Sequence, residues 1–229
     1  MSLLTPDLIG ALQRLDACAI SNAVETFDCR LRNEGFVDGR IHAMFDDLDP
    51  MVGHAVTVRI HCSSPPAVGR TYWDRTDWWN YIVTVPSPRI VVVEDADERA
   101  GLGAFIGDVH ANILTALGCV GCVTNGSVRD LPAVHAIQFQ MFAAHAGVSH
   151  AYVHIVDFGG PVTIGGLCVQ SGDVLYGDRH GVLNIPLEVV AQVPAVAERM
   201  LAAERKVVAL CQSGPVSLEQ LGAAVGDLR

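Results

Sequence analysis

The hydrophobic and polar positions of the first half of the chain predict two helices followed by strands. Apolar residues recur at helical spacing over residues 8–27, with a break at Asp16-Ala17 and a capping signal for the second helix at Ser21-Asn22. Residues 53–62 alternate between apolar and polar side chains, which predicts a strand. The β-branched run over residues 89–94 is typical of a parallel strand that is covered on both faces.

The second half continues with helices and strands in turn. Helical spacing over 110–117 is followed by an apolar strand over 120–124, and a further helix is predicted over 131–146. Residues 161–186 hold short strands separated by glycine turns, which predicts an antiparallel or barrel-like element. A helix over about 189–212, interrupted near Pro194, is predicted to end the ordered elements.

Helices that alternate with buried strands predict the α/β class. No repeat, low-complexity tract or linker divides the sequence, so we expect a single domain over residues 1–229. With 50% hydrophobic and 17% charged residues, the composition is that of a globular protein, and its length suits one large α/β domain.

The charge of the chain excludes some partners and its apolar runs exclude a membrane span. The formal net charge of −10 argues against nucleic acid or an anionic membrane as the main partner. No apolar run approaches the roughly 20 residues that cross a bilayer. The first residues lack a basic region followed by an apolar core, so we expect a cytoplasmic protein.

The cysteines and histidines give little support for a disulfide framework or a zinc site. The 7 cysteines are odd in number and scattered, and the pair Cys119 and Cys122 is interpreted as buried structural thiols. His145, His150 and His154 are too loosely spaced for a zinc motif. The tryptophan-rich segment 72–81 predicts a helix that is half in contact with other parts of the protein.

Two glycine-containing turns carry the strongest signal for chemistry. Gly107-Asp108 opens the helix over 110–117, and Arg129-Asp130 closes the turn that follows the strand over 120–124. Turns after neighbouring parallel strands meet at one edge of a sheet, so two carboxylates and one guanidinium are expected to lie together. Such a set can hold a hard divalent cation and fix an anionic substrate beside it.

Simpler interpretations of these residues stay open. Asp108 could be only a helix cap, and Arg129-Asp130 could be a surface ion pair with Asp130 as the cap of the next helix. His110 lies two residues beyond Asp108 and could face the same pocket.

Three segments resemble the RraA-like family, which includes class II pyruvate aldolases that act on 4-hydroxy-4-methyl-2-oxoglutarate and 4-carboxy-4-hydroxy-2-oxoadipate. The segment GDVHANILTALGCVGCVTNGSVRD is similar to the signature of that family, and SGDVLYGDRHGVLNIP is similar to its later glycine-aspartate pattern. Ser21-Asn22-Ala23 resembles an early Ser-Asp-Ala turn, with asparagine in place of the aspartate. The similarity extends over nearly the whole chain.

The resemblance implies an α/β/α swivelling-domain fold with a mixed sheet. It also implies a homo-oligomer, either a trimer or a hexamer, with the active site between subunits. The C-terminal helix over about 189–212 would then reach a neighbouring subunit, where Glu204, or less favourably Glu198, would complete the site.

The resemblance also assigns roles within the two turns. Asp130 would bind Mg²⁺ or Mn²⁺ directly, and Asp108 would hold the ion through water. Arg129 would bind the 2-oxo oxygen and carboxylate of the substrate and take part in catalysis with Asp108 and Glu204. The turn at Gly107 and the backbone N–H groups of Val109 and His110 would hold the substrate carboxylate at a helix N-terminus.

The function implied by the resemblance is a metal-dependent lyase that cleaves a 4-hydroxy-2-oxo acid to pyruvate and also decarboxylates oxaloacetate. The alternative is a non-catalytic protein like the ribonuclease regulators of the family, which lack the acidic residue after the arginine. A methyltransferase function is disfavoured because no glycine-rich cofactor loop precedes an acidic strand end.

Overall fold

The chain folds into a mixed sheet with helices packed against it, and the computed structural model describes residues 3–66 and 75–226. The helices are α1 Pro6–Gln13, α2 Ala17–Glu25, α3 Arg75–Ile82, α4 Asp108–Ala116, α5 Leu131–Ala136, α6 Val193–Gln212 and α7 Leu218–Gly226. The strands are β1 His42–Ala43, β2 Met51–His61, β3 Arg89–Asp95, β4 Ala104–Ile106, β5 Cys119–Thr124, β6 Ser127–Val128, β7 Gln140–Ala143, β8 His145–Ala146, β9 His154–Phe158, β10 Val162–Ile164, β11 Leu167–Val169, β12 Val174–Asp178 and β13 Gly181–Ile185.

The main sheet has eight strands in the order β1-β7-β5-β3-β2-β12-β13, with β9 also paired to β2. The central strands β2, β3, β5 and β7 are parallel, whereas β1, β9, β12 and β13 pair antiparallel. The predicted α/β class with a mixed sheet is therefore confirmed. The antiparallel character predicted for residues 161–186 is confirmed as well, in the hairpin β10-β11 and in the pair β12-β13.

Strand β3 is central because its β-branched residues fill both faces of the sheet. Val91 and Val93 are fully buried in a core that includes Trp78 of α3 and Leu114 of α4. The alternate residues of the strand pack into a different core with the hairpin β10-β11. A third core lies between α1, α2, α6 and the pair β12-β13. The continuous apolar run thus has the physical cause that the sequence indicates, burial on both faces.

A second, smaller parallel sheet follows the main one. Strands β4, β6 and β8 form it in that order, and each comes directly after one of the main strands β3, β5 and β7. Along the chain, β3 and β4 are followed by α4, and β5 and β6 are followed by α5. Strands β7 and β8 come next and repeat the pair of strands without a helix. Because β4 and β6 are neighbours, the turns that follow them are neighbours too.

The helix predicted over 131–146 is wrong beyond its first six residues. Helix α5 ends at Ala136, and Gln138 takes a left-handed conformation with φ +58°, which a helix cannot continue through. The next residues form β7 and β8 instead. The polar residue Gln140 is buried in β7, where its side chain donates to Phe45 O and accepts from Met141 N. A polar residue at this position makes the sequence resemble a helix with one polar face, although the residue is buried in a strand.

Two helix ends also differ from the sequence prediction. The cap of α2 is Asp16, whose Oδ1 accepts from Ala19 N at 2.7 Å, and Ser21-Asn22 lies inside the helix. Helix α6 begins at Val193 rather than near residue 189, because Pro194 sits in its first turn, where proline costs no helical hydrogen bond. Pro194 therefore starts the C-terminal helix and does not interrupt it.

The tryptophan-rich segment is described only in part, since residues 72–74 lie outside the described residues. Trp78 of α3 is fully buried and Trp79 is partly buried, as expected for a helix in contact with other elements. Cys119 and Cys122 are buried free thiols, as predicted. Within the described ranges, no helix is both long enough and apolar enough to cross a membrane.

Candidate active site

The small parallel sheet brings the two predicted turns together. Ile106 of β4 pairs with Val128 of β6, and Arg129 N donates to Ile106 O at 3.1 Å. The residues that follow, Gly107-Asp108 and Arg129-Asp130, therefore leave the sheet side by side. The sequence predicts this meeting at the edge of the main sheet, after the strand over 120–124; the structure places it one short strand later, after β6.

Asp130 connects the two turns. It takes a left-handed conformation with φ +57°, which is uncommon outside glycine and is tolerated best by aspartate and asparagine. Its Oδ2 accepts from the backbone N–H of Asp108 at 3.1 Å and from Arg129 Nε at 3.2 Å. Although Asp130 occupies the cap position of α5, its side chain makes no capping hydrogen bond to that helix. The carboxylate is turned toward the start of α4 instead.

Asp108 is the first residue of α4, and its cap is Gly107, which has no side chain to serve that role. Asp108 Oδ1 accepts from Asn112 Nδ2 at 2.9 Å, one helical turn along. The interpretation of Asp108 as a simple cap is therefore wrong. The ion pair proposed for Arg129 and Asp130 is present, with both side chains about one-third exposed.

Gly107 lies so close to the facing side chains that a larger residue there would displace them. A Cβ atom at this position would lie 2.5 Å from Asp130 Oδ2 and 2.9 Å from Arg129 Cγ. Contacts that short force the neighbouring atoms to move. The glycine thus allows the carboxylate and the guanidinium to approach the start of α4.

These residues line one cavity of about 240 Å³. Its charged side is formed by Asp108, Arg129 and Asp130, and its lining is completed by Phe105, Gly107, Val109, His110, Ile113 and His150. Larger cavities of about 550 and 710 Å³ lie beside Ser63 and beside Arg30, so volume alone does not select the site. The smaller cavity is where two carboxylates, a guanidinium and the N-terminus of a helix converge.

Two imidazole rings form part of the wall, and both are held by β4. His110 Nδ1 lies 2.9 Å from Phe105 O, and His150 Nδ1 lies 2.8 Å from Ala104 O. His110 is buried and its ring packs edge-on against Phe105 and Trp78. The sequence interpretation that His110 faces this pocket matches its place in the wall.

The sequence does not indicate the places of Phe105, Ile113 and His150 in the cavity. For His150 the sequence only excludes a zinc motif, and the loop that carries it has no pattern that links it to β4. The nearest sequence signal for its position is the glycine at 147, three residues before His150. That glycine begins the loop after β8, and the loop returns to β4.

Glu204 and Glu198 do not lie in the cavity of their own chain. Both are on α6, which packs against α1, α2 and α7, and neither is among the lining residues. Glu204 is partly buried and Glu198 is exposed. The single chain therefore brings together Asp108, Arg129 and Asp130 but neither glutamate.

A second group of possible metal ligands lies at Cys62, Asp95 and Asp97, whose ligand atoms are within 4.8 Å of one another. Both oxygens of Asp97 already have hydrogen-bond partners. Oδ2 accepts from the N–H groups of Cys62 and Ser63 at 2.6 and 2.7 Å, and Oδ1 accepts from the Ser63 hydroxyl at 2.7 Å. Asp95 Oδ2 accepts from the backbone N–H at position 101.

Burial and hydrogen bonds shift the pKa values of this second group in opposite directions. Burial, helped by Asp95 and Asp97, raises the pKa of the Cys62 thiol to about 12. Burial tends to raise the pKa of Asp97, but hydrogen bonds from His61, Ser63 and Cys62 outweigh it and lower the pKa to about 2. We interpret the group as a structural junction between β2 and the segment after β3.

A Gly107→Ala substitution tests whether the close approach at the turn matters. We expect Mn²⁺ binding at the cavity to weaken by about tenfold, on the scale of disturbing groups that orient a metal ligand. Electron paramagnetic resonance titration measures this affinity. The matched control is Gly39→Ala, because a Cβ there would meet no described atom within 4 Å. Equal Mn²⁺ affinity in both variants would contradict the role given to Gly107.

Solved structures support the fold. A crystal structure from Pseudomonas syringae pv. tomato has a TM-score of 0.75 at 22% identity, covering 98% of this chain and 95% of that one. A Streptomyces coelicolor structure, described as an unusual member of the RNase ES inhibitor RraA protein family, has a TM-score of 0.69 at 19% identity, covering 90% of this chain and 97% of that one. At these identities the similarity concerns the fold alone.

Sequence comparisons find relatives and a family model that match this chain. A protein of Halalkalibacterium halodurans named "Putative 4-hydroxy-4-methyl-2-oxoglutarate aldolase" is 29% identical over 139 residues, and the match spans 60% of each chain. An uncharacterized protein of Methanocaldococcus jannaschii is 26% identical over 161 residues, which cover 68% of this chain and 70% of that one. The family model described as "RraA-like: Aldolase/RraA" matches residues 17–183. Since that model spans most of the sequence, the chain belongs to the RraA-like family.

Proposed function

We propose that the protein is a divalent-metal-dependent lyase that cleaves a 4-hydroxy-2-oxo acid to pyruvate and a second carbonyl compound, and that it also decarboxylates oxaloacetate. One observation carries the proposal. Asp108, Arg129 and Asp130 converge on one cavity, and Asp130 Oδ2 accepts from Asp108 N at 3.1 Å and from Arg129 Nε at 3.2 Å across the turn at Gly107. The named aldolase relative supports the same class of reaction.

The donor atoms in the cavity fit Mg²⁺ or Mn²⁺. Asp130 Oδ1 and Asp108 Oδ2 have no hydrogen-bond partner among the described residues, and both belong to carboxylates that line the cavity. Mg²⁺ is usually held by one or two carboxylates and several waters, so Asp130 would be the direct ligand and Asp108 would hold its water. When bound, such an ion acts as a Lewis acid on the 2-oxo group.

The substrate carboxylate would bind at the start of α4. The N–H groups of Val109 and His110 belong to the first helical turn, whose N–H groups have no intrahelical acceptor, and the helix dipole favours an anion there. Arg129 would donate to the 2-oxo oxygen. Cleavage of the C3–C4 bond leaves negative charge on that oxygen as an enolate, and a fixed guanidinium stabilises the charge as it develops.

The same arrangement serves oxaloacetate decarboxylation, because loss of CO₂ from C4 leaves the same pyruvate enolate. Arg129 would again neutralise the developing charge. The two reactions differ in one respect. Cleavage of a 4-hydroxy acid also requires removal of the hydroxyl proton, and decarboxylation does not.

A homo-oligomer, trimer or hexamer, would complete the site. Val109, which lines the cavity, is 73% exposed, and Val148, in the loop that carries His150, is 95% exposed. Such apolar residues are suited to burial under a neighbouring subunit. Because Glu204 lies outside the cavity of its own chain, any contribution from it has to come from the α6 helix of a neighbour.

A non-catalytic ribonuclease regulator is the second candidate, since the Streptomyces coelicolor structure is described as an unusual member of an RNase ES inhibitor family. The feature that favours the enzyme is Asp130, since its carboxylate is turned into the cavity and does not cap α5. A regulator would need a partner-binding surface but would need neither this carboxylate nor Arg129 in a cavity.

The function is tested by measuring pyruvate release over a panel of 4-hydroxy-2-oxo acids and oxaloacetate, with and without Mg²⁺. We expect Mg²⁺-dependent pyruvate release from at least one 4-hydroxy-2-oxo acid and from oxaloacetate. If the metal-loaded protein releases no pyruvate from any of them, the lyase proposal is wrong and the regulator becomes the better candidate.

The shared site predicts complementation between inactive chains. Arg129→Ala and Glu204→Ala chains should each be inactive, and their mixture should regain about a quarter of the wild-type activity, because random assembly gives about that fraction of intact sites. The measurement is pyruvate release after subunit exchange, with the exchange itself followed by a mass tag. If exchange occurs without recovery, Glu204 does not act from a neighbouring chain.

A further inference from the structure

His150 is a cavity residue to which neither the family resemblance nor the proposed metal site gives a role. It lies in the loop between β8 and β9, and the backbone of that loop is fixed to β4. Ala104 N donates to Ser149 O at 2.8 Å, and a Cβ atom at Gly103 would lie 2.4 Å from His150 O. The loop therefore packs directly on the strand that leads into the Gly107-Asp108 turn.

The hydrogen bond of the His150 ring defines its tautomer. Nδ1 lies 2.8 Å from Ala104 O, and a carbonyl oxygen can only accept, so Nδ1 carries the proton. In the neutral ring, Nε2 then holds a lone pair and can act as a base. Both backbone groups of Ala104 are used by Ser149 and His150, so the ring is held in one orientation beside the cavity.

The other groups that line the cavity are less suited to proton transfer. Asp108 and Asp130 are the proposed metal-site carboxylates, and Arg129 cannot lose its proton in a protein. His110 is only 7% exposed and is enclosed by aromatic rings, whereas His150 is exposed. A group that exchanges a proton with a substrate hydroxyl needs that access.

We propose that His150 is the general base of the cleavage reaction; this inference rests on the proposed lyase function. Nε2 accepts the proton of the C4 hydroxyl as the C3–C4 bond breaks. The hydroxyl oxygen becomes the carbonyl oxygen of the second product, and the electron pair of the broken bond forms the pyruvate enolate. The imidazolium then returns the same proton to C3, which gives pyruvate and restores the neutral ring.

The comparison of two reactions isolates this role. Oxaloacetate has no C4 hydroxyl proton, so a neutral His150 has no proton to remove, and the enolate left by decarboxylation takes its C3 proton from water. In His150→Gln we expect kcat for a 4-hydroxy-2-oxo acid to fall by about 100-fold, the lower end of the usual effect of a general base, with KM little changed. Oxaloacetate decarboxylation should change by less than about threefold, since only the hydroxyl proton transfer is lost.

The matched control is His154→Gln. His154 Nδ1 also lies 2.8 Å from a backbone carbonyl, that of Tyr152, but the ring does not line the cavity. We expect its two activities to equal those of the wild type.

Two further measurements concern His150 itself. Free imidazole should restore part of the cleavage activity of His150→Ala. Calorimetry should find the same oxalate affinity in His150→Gln as in the wild type.

The outcomes separate the two proposals. Equal losses of cleavage and decarboxylation in His150→Gln, or weakened oxalate binding, would show that His150 supports the structure of the site and is not its base. Unchanged cleavage would also overturn the proposal while leaving the lyase function intact. A wild-type protein with neither activity would overturn the proposed function, and the role of His150 with it.

Discussion

Removal of divalent metal with EDTA should reduce pyruvate release to background, a loss on the order of 1000-fold or more, and added Mg²⁺ or Mn²⁺ should restore it. The reason is the charge in the cavity. Asp108 and Asp130 line the cavity, and without a cation their negative charge would oppose formation of the proposed enolate. Arg129 alone would have to balance two carboxylates and the substrate. The measurement is a coupled pyruvate assay before and after metal exchange.

The same experiment distinguishes the cavity from the group at Cys62, Asp95 and Asp97. A Cys62→Ser variant should keep the metal dependence and Mn²⁺ affinity of the wild type, because we assign no metal to that group. Circular dichroism should show that EDTA leaves the fold intact, since Asp108 and Asp130 are not among the residues of the three hydrophobic cores. Full activity in excess chelator would contradict the metal dependence. Loss of Mn²⁺ binding in Cys62→Ser would show that the metal binds at Cys62 and not in the cavity.

The parts of the fold that follow from long patterns could be predicted from the sequence. The run Arg89 to Glu94 is buried on both faces, and a continuous β-branched run of that length is typical of such a strand. The predicted break at Asp16-Ala17 is also correct, because a helix start with an aspartate cap leaves a local signal. In each case the signal and its physical cause lie within a few residues of each other.

The second sheet could not be predicted, because β4, β6 and β8 have only two or three residues each. Strands that short show no periodicity, and their pairing joins residues that are far apart in sequence. The turn residues Gly107-Asp108 and Arg129-Asp130 are recognisable by their composition and by the family resemblance. Their actual juxtaposition depends on the register of β4 against β6, which only the structure supplies.

The environment of the cavity escapes sequence-based prediction for a similar reason. His150 reaches the cavity because its loop returns to Ala104, a contact between residues that are 46 positions apart. The buried glutamine at position 140 likewise resembles the polar face of a helix when only its neighbours in sequence are considered. Local patterns report on local structure, and these two features are set by partners elsewhere in the chain.

Replacement of Arg129 by lysine should lower kcat by about 100- to 1000-fold, the scale of losing one oxyanion donor, with a smaller effect on KM. Lysine keeps the positive charge but lacks the planar fork that can donate to the 2-oxo oxygen while Nε stays bonded to Asp130. The enolate would then lose a fixed donor at the point where charge develops. Steady-state kinetics and the melting temperature are the two measurements.

Arg59→Lys is the matched control for this change, because Arg59 forms an ion pair with Glu94 at 2.6 Å and does not line the cavity. An exposed or partly exposed ion pair typically contributes about 0–1 kcal/mol, so Arg59→Lys should leave turnover unchanged. If Arg129 were only such a pair, its lysine variant would behave like the control. Unchanged kcat in Arg129→Lys would therefore show that Arg129 and Asp130 form only a surface ion pair. Arg129 would then have no role in stabilising the enolate.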